Sequence, residues 1–143
     1  MDASPHAQIE QLTDELRQLV GRGVNPMRLV TLPTLRSVSR VDDSKLTARQ
    51  TGFLIRRHIE TSILELSDAE PYAVWGTKVE AAVLRRCLRL LLKYEGTGQD
   101  ATNRRERVLY VTQINFPLGQ MRRPNSPERE MLGILAQRMV LGC

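Results

Sequence analysis

At 143 residues the chain is long enough to bury one hydrophobic core and too short for two full domains. An apolar share of 41% beside 26% charged residues excludes a disordered chain, and no apolar run approaches the ~20 residues that cross a bilayer as a helix. The formal charge of +5, from eighteen arginines and three lysines against sixteen acids, directs attention to polyanions and acidic partners, although net charge speaks to encounter and solubility rather than to a site.

The opening Met1-Asp2-Ala3-Ser4-Pro5-His6 lacks the basic start and apolar run of a secretory signal, so a cytoplasmic location is expected. Ser4-Pro5 is a helix start: the Ser oxygen can accept from a free N–H, and Pro lacks a donor that would be orphaned. Ile9, Leu12, Leu16 and Leu19 then recur at spacings of three and four before Gly21 and Gly23, which predicts a helix over 5–20. The stretch through Gly21 carries four acids and one arginine, an acidic face in a basic protein. Asn25-Pro26 repeats the cap signal, but Pro33 follows too soon for a long helix, so 26–39 reads as one or two short helical turns. Polar residues 39–44, with Asp42-Asp43, read as a surface loop.

Thr47-Ala48-Arg49-Gln50 fits a capping box and opens a helix over 48–66 with an Ile55, Ile59, Ile63, Leu66 stripe. Ser67–Glu70 reads as a second box before a short element, and Thr77–Glu80 as a third before the most apolar helix, 78–94. Here Val79, Val83, Cys87, Leu90 and Tyr94 form one face widened by Leu84, Leu88 and Leu91, and Lys78, Arg85, Arg86, Arg89 and Lys93 are confined to the other side. Residues 96–100 are a Gly-containing loop. The run 108–116 is rich in β-formers; a helix is favoured because no partner strand is visible, with a short strand as the alternative. Asn125-Ser126-Pro127-Glu128 starts the last helix, with Leu132, Leu135 and Met139 as its stripe up to Gly142. The expectation is an all-α, single-domain bundle of five to six helices over residues 1–143. Ending at Gly142-Cys143, it reads either as a natural helix cap or as a module of a longer protein.

No grouping of residue types matches a common catalytic apparatus. His6 lies in a first helical turn, and His58 follows Arg56-Arg57 with no motif around it, so a packed or surface histidine outweighs a general base. Cys87 lies within an apolar run and far from Cys143, which fits a small buried hydrophobe better than a metal ligand. Gly76-Thr77-Lys78 and Gly96-Thr97-Gly98 lack the full spacing of a phosphate loop. No enzyme activity, cofactor, metal, membrane or small-molecule substrate is therefore expected.

Two further arginine clusters flank one predicted element: Arg104, Arg105 and Arg107, then Arg122 and Arg123. With the row Arg85, Arg86, Arg89 and Lys93 they are the candidate contact residues. Aromatic residues make up only 4% of the chain, too few to stack on unpaired bases, and the last helix opens with Glu128 and Glu130, which repel phosphate. The leading expectation is a non-enzymatic helical protein-protein interaction module, an adaptor, regulatory or assembly domain, that meets a protein partner or a second copy through charged faces. A DNA- or RNA-binding regulator that uses the arginine clusters as phosphate anchors is the alternative.

Overall fold

Five of the helices begin where a neighbouring side chain satisfies a free N–H group. In the computed structural model, which describes residues 4–42 and 44–142, the Ser4 hydroxyl accepts from the Ala7 N–H at the head of α1 (Pro5–Arg22), and Asn25 does the same for Met27 at α2 (Pro26–Leu29). Residues 1–3, Asp43 and Cys143, named above, lie outside the described residues. Pro33 starts α3 (Pro33–Ser39), and Thr47 with Gln50 closes a complete capping box on α4 (Ala48–Leu64). Asp100 caps α6 (Ala101–Thr112) and Ser126 caps α7 (Pro127–Leu141), which ends at Gly142 with φ +71°.

Between α4 and α5 (Ala81–Leu91) the chain departs from the sequence reading. Residues 77–79 are a strand, and α5 starts at Ala81 rather than at 78. An antiparallel hairpin pairs β1 (Tyr72–Val74) with β2 (Thr77–Val79), and its two-residue turn, Trp75-Gly76, takes positive φ at both positions, +51° and +75°. Such turns match the twist of paired strands, but an indole in the left-handed region is uncommon. Two distant groups hold it there: the Glu130 carboxylate of α7 accepts from the Trp75 N–H at 2.9 Å, and the Phe116 ring meets the indole edge-on at 5.1 Å. The only strands among the described residues are thus at 72–74 and 77–79. The alternative strand at 108–116 is replaced by the end of α6 at Thr112 and an irregular segment leading to a 3-10 turn at Leu118–Gln120.

The architecture is an all-α bundle with this one small hairpin. Among the described residues it has seven helices, and the segment 26–39 supplies two short ones, α2 and α3, that part at Pro33. α7 packs against α1, α3, α4, α5 and β1, so its Met131, Leu132, Leu135, Ala136 and Met139 form the middle of the core. Leu12, Leu16 and Leu19 of α1, Ile55, Ile59 and Ile63 of α4, and Leu84, Leu88 and Leu91 of α5 surround them with no solvent exposure. Cys87 is buried among them, and burial pushes its thiol up to about 12, so it stays protonated and inert.

α2 crosses α4 at unusually short range. A Cβ on Gly52 would stand 2.1 Å from the Pro26 carbonyl oxygen, so only glycine permits the approach. α3 is anchored differently, by the carboxylate of Glu15 in α1. Its two oxygens accept from the Thr34 and Leu35 N–H groups at 3.0 and 2.8 Å, where Leu32 supplies no side-chain cap. A buried carboxylate on a helix N-terminus combines hydrogen bonding with the helix dipole. Glu15→Ala is therefore expected to cost about 2 kcal/mol, read as a lower urea midpoint with unchanged slope. Glu15→Gln should lose less, because its amide oxygen still accepts one of the two bonds.

Candidate functional site

Of the nine cations singled out from the sequence, six are engaged with acids or carbonyls of the chain itself. In α5, Arg85 donates to the Leu66 carbonyl and to Asp68, each at 2.7 Å. Arg89 reaches Glu60 at 3.4 Å and lies 5.7 Å from the Tyr94 ring, while Arg86 stands 3.6 Å from Glu95. The Tyr94 hydroxyl in turn donates to the Arg56 carbonyl at 2.6 Å. This row pins α5 to α4 and to the loop that follows. Lys93 adopts φ +67° and lays its aliphatic stem over Gly23.

The α6 cluster divides sharply. Arg104 is 1% exposed and points inward, donating to the carbonyls of Leu90 at 2.9 Å, Leu91 at 3.0 Å and Val20 at 2.8 Å, with a longer bond to Gln99. Val20 lies in the last turn of α1, and Leu90 and Leu91 end α5, so one guanidinium caps the negative ends of two helices. Burial lowers its affinity for the proton, as does neighbouring Arg105, yet a guanidinium remains cationic. Arg104 is thus withdrawn from the surface and cannot serve as a phosphate anchor. Arg105 makes a forked pair with Glu128 at 2.6 and 3.2 Å, and that carboxylate is itself only 1% exposed. Burial pushes the Glu128 carboxyl above its ordinary range, with Arg105 pulling the other way. Arg107 bonds Gln99 at 3.1 Å and approaches Glu95 at 3.6 Å. Arg122 and Arg123 remain exposed; Arg122 joins Thr102, Arg105, Leu118 and Gly119 around a shallow recess of about 340 Å³.

The acidic face expected on α1 is likewise occupied. Glu10 accepts from Arg129 at 2.7 Å, Asp14 lies 3.6 Å from Arg17 and 3.7 Å from Arg129, and Glu15 is buried under α3. Arg129 and its hydrogen bond hold the Glu10 carboxyl below the ordinary carboxylate range.

Uncompensated charge lies elsewhere. Residues 22–57 hold eight cations and two acids, a net +6, whereas the other residues hold thirteen cations and fourteen acids. Among the described residues, Arg22, Arg28, Arg40, Lys45, Arg49 and Arg57 form no ion pair with an acid of the chain. Large apolar side chains are exposed in the same region: Met27 on α2, and Phe53 and Leu54 on α4, with the Arg49 guanidinium 5.6 Å from the Phe53 ring centre. The sequence signal for this surface is a tally rather than a motif, since its cations are spread from Arg22 at the end of α1 through α2 and α3 to α4 and the loops between them.

His58 borders the region. It helps to line an open recess of about 420 Å³ with Ser39, Val41, Asp42, Leu54, Arg57 and Thr61. Its Nε2 is buried without a hydrogen-bond partner, and burial lowers its pKa, so the imidazole is held neutral. Among the described residues no three His, Cys, Asp or Glu side chains are grouped to hold a metal ion, and no helix is long and apolar enough to cross a membrane. Comparisons with protein-family models, curated proteins and solved structures gave no match, so the geometry of this cationic, partly apolar surface stands as the basis for a functional reading.

Proposed function

We propose that the chain is a non-enzymatic helical interaction module that binds an acidic partner protein through the surface of α2, α3 and α4. The observation that carries this reading is the charge separation: a net +6 over residues 22–57, with six of its cations in no ion pair, against a remainder in which cations and acids are nearly equal in number. Exposed Met27 and Phe53 beside Arg28 and Arg49 supply the residue types enriched at the centres of protein interfaces. Self-association through an acidic first helix loses its support, because Glu10, Asp14 and Glu15 are already engaged within the chain. A nucleic acid would answer to the same charge but not to the apolar side chains beside it.

The test is site-specific photo-crosslinking in the cells that express the chain. A benzoylphenylalanine at Leu54 samples the proposed surface, and one at Tyr110, 76% exposed on α6, samples a control surface. The expected result is a protein adduct specific to position 54, whose purified partner forms a discrete complex with the chain by light scattering and dissociates more readily as salt rises. Adducts equal at both positions, adducts to nucleic acid or to a second copy, or an identified partner that forms no complex with the purified chain would overturn the proposal.

A further inference from the structure

Helix α4 carries exposed apolar side chains on the side opposite its core face. Gly52, Ile55, Ile59 and Ile63 face the core, while residues 50, 53, 57, 61 and 64, spaced by three and four, run along the opposite side. On that outer side Phe53 is 45% exposed and Leu64 57%, with Leu54 adjacent at 40%. A solvated helix face gains nothing from three such side chains, whereas an amphipathic partner would bury them. The charge on this face has one sign over most of its length: no acid occurs between residues 44 and 59, and Arg49 and Arg57 project there. Glu60, the first acid that follows, is turned to Arg89. Met27 extends the apolar surface from α2, next to Pro26, whose carbonyl lies against Gly52.

We infer that the outer face of α4 is a docking track for an acidic amphipathic helix of the partner protein, lying along α4 with Phe53 and Leu64 as its two apolar contacts and Arg49 and Arg57 reading its carboxylates. This rests on the interaction-module reading and narrows it to one surface and one ligand class. Charge complementarity selects the occupant. A second copy would bring the same cations against this face, and its acids on α1 are held by Arg17 and Arg129. Duplex phosphates would pair with the arginines and leave Phe53, Leu54 and Leu64 in water. α4 runs for seventeen residues, about 25 Å, so a partner helix of four to five turns covers it. Apolar residues of that helix at i, i+3, i+4 and i+7 would pack between Phe53 and Leu64, with glutamates beside the arginines.

The experiment selects ligands from a display library of random eighteen-residue peptides against the full chain. Enriched peptides are expected to be acidic with helical apolar spacing, and to perturb backbone amide NMR signals of residues 49–64. Phe53→Ser should weaken a selected peptide about thirtyfold or more, as for an interface anchor, and Arg57→Glu should weaken it about tenfold or more while making the residual binding less sensitive to salt. Both positions are exposed, so each variant should keep the wild-type urea midpoint, which separates lost binding from lost folding. Three outcomes overturn the inference: peptides whose perturbations fall away from α4, peptides indifferent to both substitutions, and tighter binding to a 24-base-pair duplex or to phosphatidylserine vesicles than to any selected peptide. A crosslinked partner whose complex survives both substitutions removes the α4 track but leaves the module reading intact.

Discussion

Arg104→Ala is expected to cost about 3–5 kcal/mol of stability and to lower the melting temperature by ~10 °C or more. The size follows from the number and position of the bonds lost. The Leu91, Leu90 and Val20 carbonyls sit at the ends of two helices, and the guanidinium reaches all three from 2.8 to 3.0 Å; Leu90 also accepts from the Lys93 N–H at 3.3 Å, so Leu91 and Val20 depend most on Arg104. Removing it leaves buried acceptors unpaired and a cavity of side-chain size in a place closed to solvent. It also separates three elements at once, since α6 is tied through this residue to the ends of α1 and α5. Arg104→Lys should recover little, because one ammonium cannot reproduce a planar fork directed at carbonyls from different helices. Exposed Arg123→Ala, by contrast, should stay within about 0.5 kcal/mol of wild type. Urea denaturation of the three variants checks the ranking. An Arg104→Ala chain as stable as Arg123→Ala would mean that the buried fork does not hold α1 and α5 together.

The same residue shows why the sequence located helices better than it located the cations left free at the surface. Ser4-Pro5, Asn25-Pro26, Thr47 with Gln50, and Ser126-Pro127 specify helix starts through bonds made within a few residues, so their spacing alone reveals them. Arg104, Arg105 and Arg107 are neighbours in sequence but meet different surroundings. Arg104 shares a side of α6 with Val108 and Thr112, four residues apart and all buried, and that periodicity was the available signal that it faces inward. Arg105 faces Glu128 from twenty-three residues away, a partner that adjacency in sequence cannot reveal. The row on α5 was correctly assigned to its less apolar side, yet its acids arrive from Glu60, Asp68 and Glu95 in other elements. Apart from exposed Arg122 and Arg123, clustering along the chain therefore marked cations that tie the bundle together, and most of the unpaired ones were dispersed.

The hairpin was hidden for a related reason. Thr77–Glu80 has the letters of a capping box, but Glu80 makes no side-chain bond at the start of α5, and Thr77–Val79 pairs with Tyr72–Val74 instead. What turns the chain there is Trp75-Gly76, with tryptophan where asparagine or aspartate ordinarily signals the turn. Its left-handed backbone is supported by Glu130 and Phe116, both more than forty residues away. Local propensity is thus overridden by contacts that exist only once α7 is in place.

Gly52→Ala is the second large effect, and its sign runs against the usual one. In an exposed helix interior, alanine for glycine stabilises by about 1 kcal/mol, because the glycine backbone loses more freedom on folding. At Gly133 of α7 the new methyl group would meet only Thr13 Oγ1, at 3.9 Å, an ordinary contact, so Gly133→Ala should be neutral or mildly stabilising. At Gly52 the same methyl group would fall 2.1 Å from the Pro26 oxygen and 2.5 Å from its carbonyl carbon, backbone atoms that cannot rotate away. α2 has to move as a unit, and the expected net loss is about 2–3 kcal/mol even after the gain in helix propensity. Moving α2 displaces the exposed Met27 that follows Pro26, so Gly52→Ala should also weaken a peptide bound along α4, although residue 52 faces the core and touches no ligand. Measuring urea midpoints and peptide affinity on Gly52→Ala and Gly133→Ala together separates the two consequences. Equal stability of the two variants would show that α2 does not press on α4. A destabilised Gly52→Ala that binds peptide as well as wild type would show that the track on α4 does not depend on Met27.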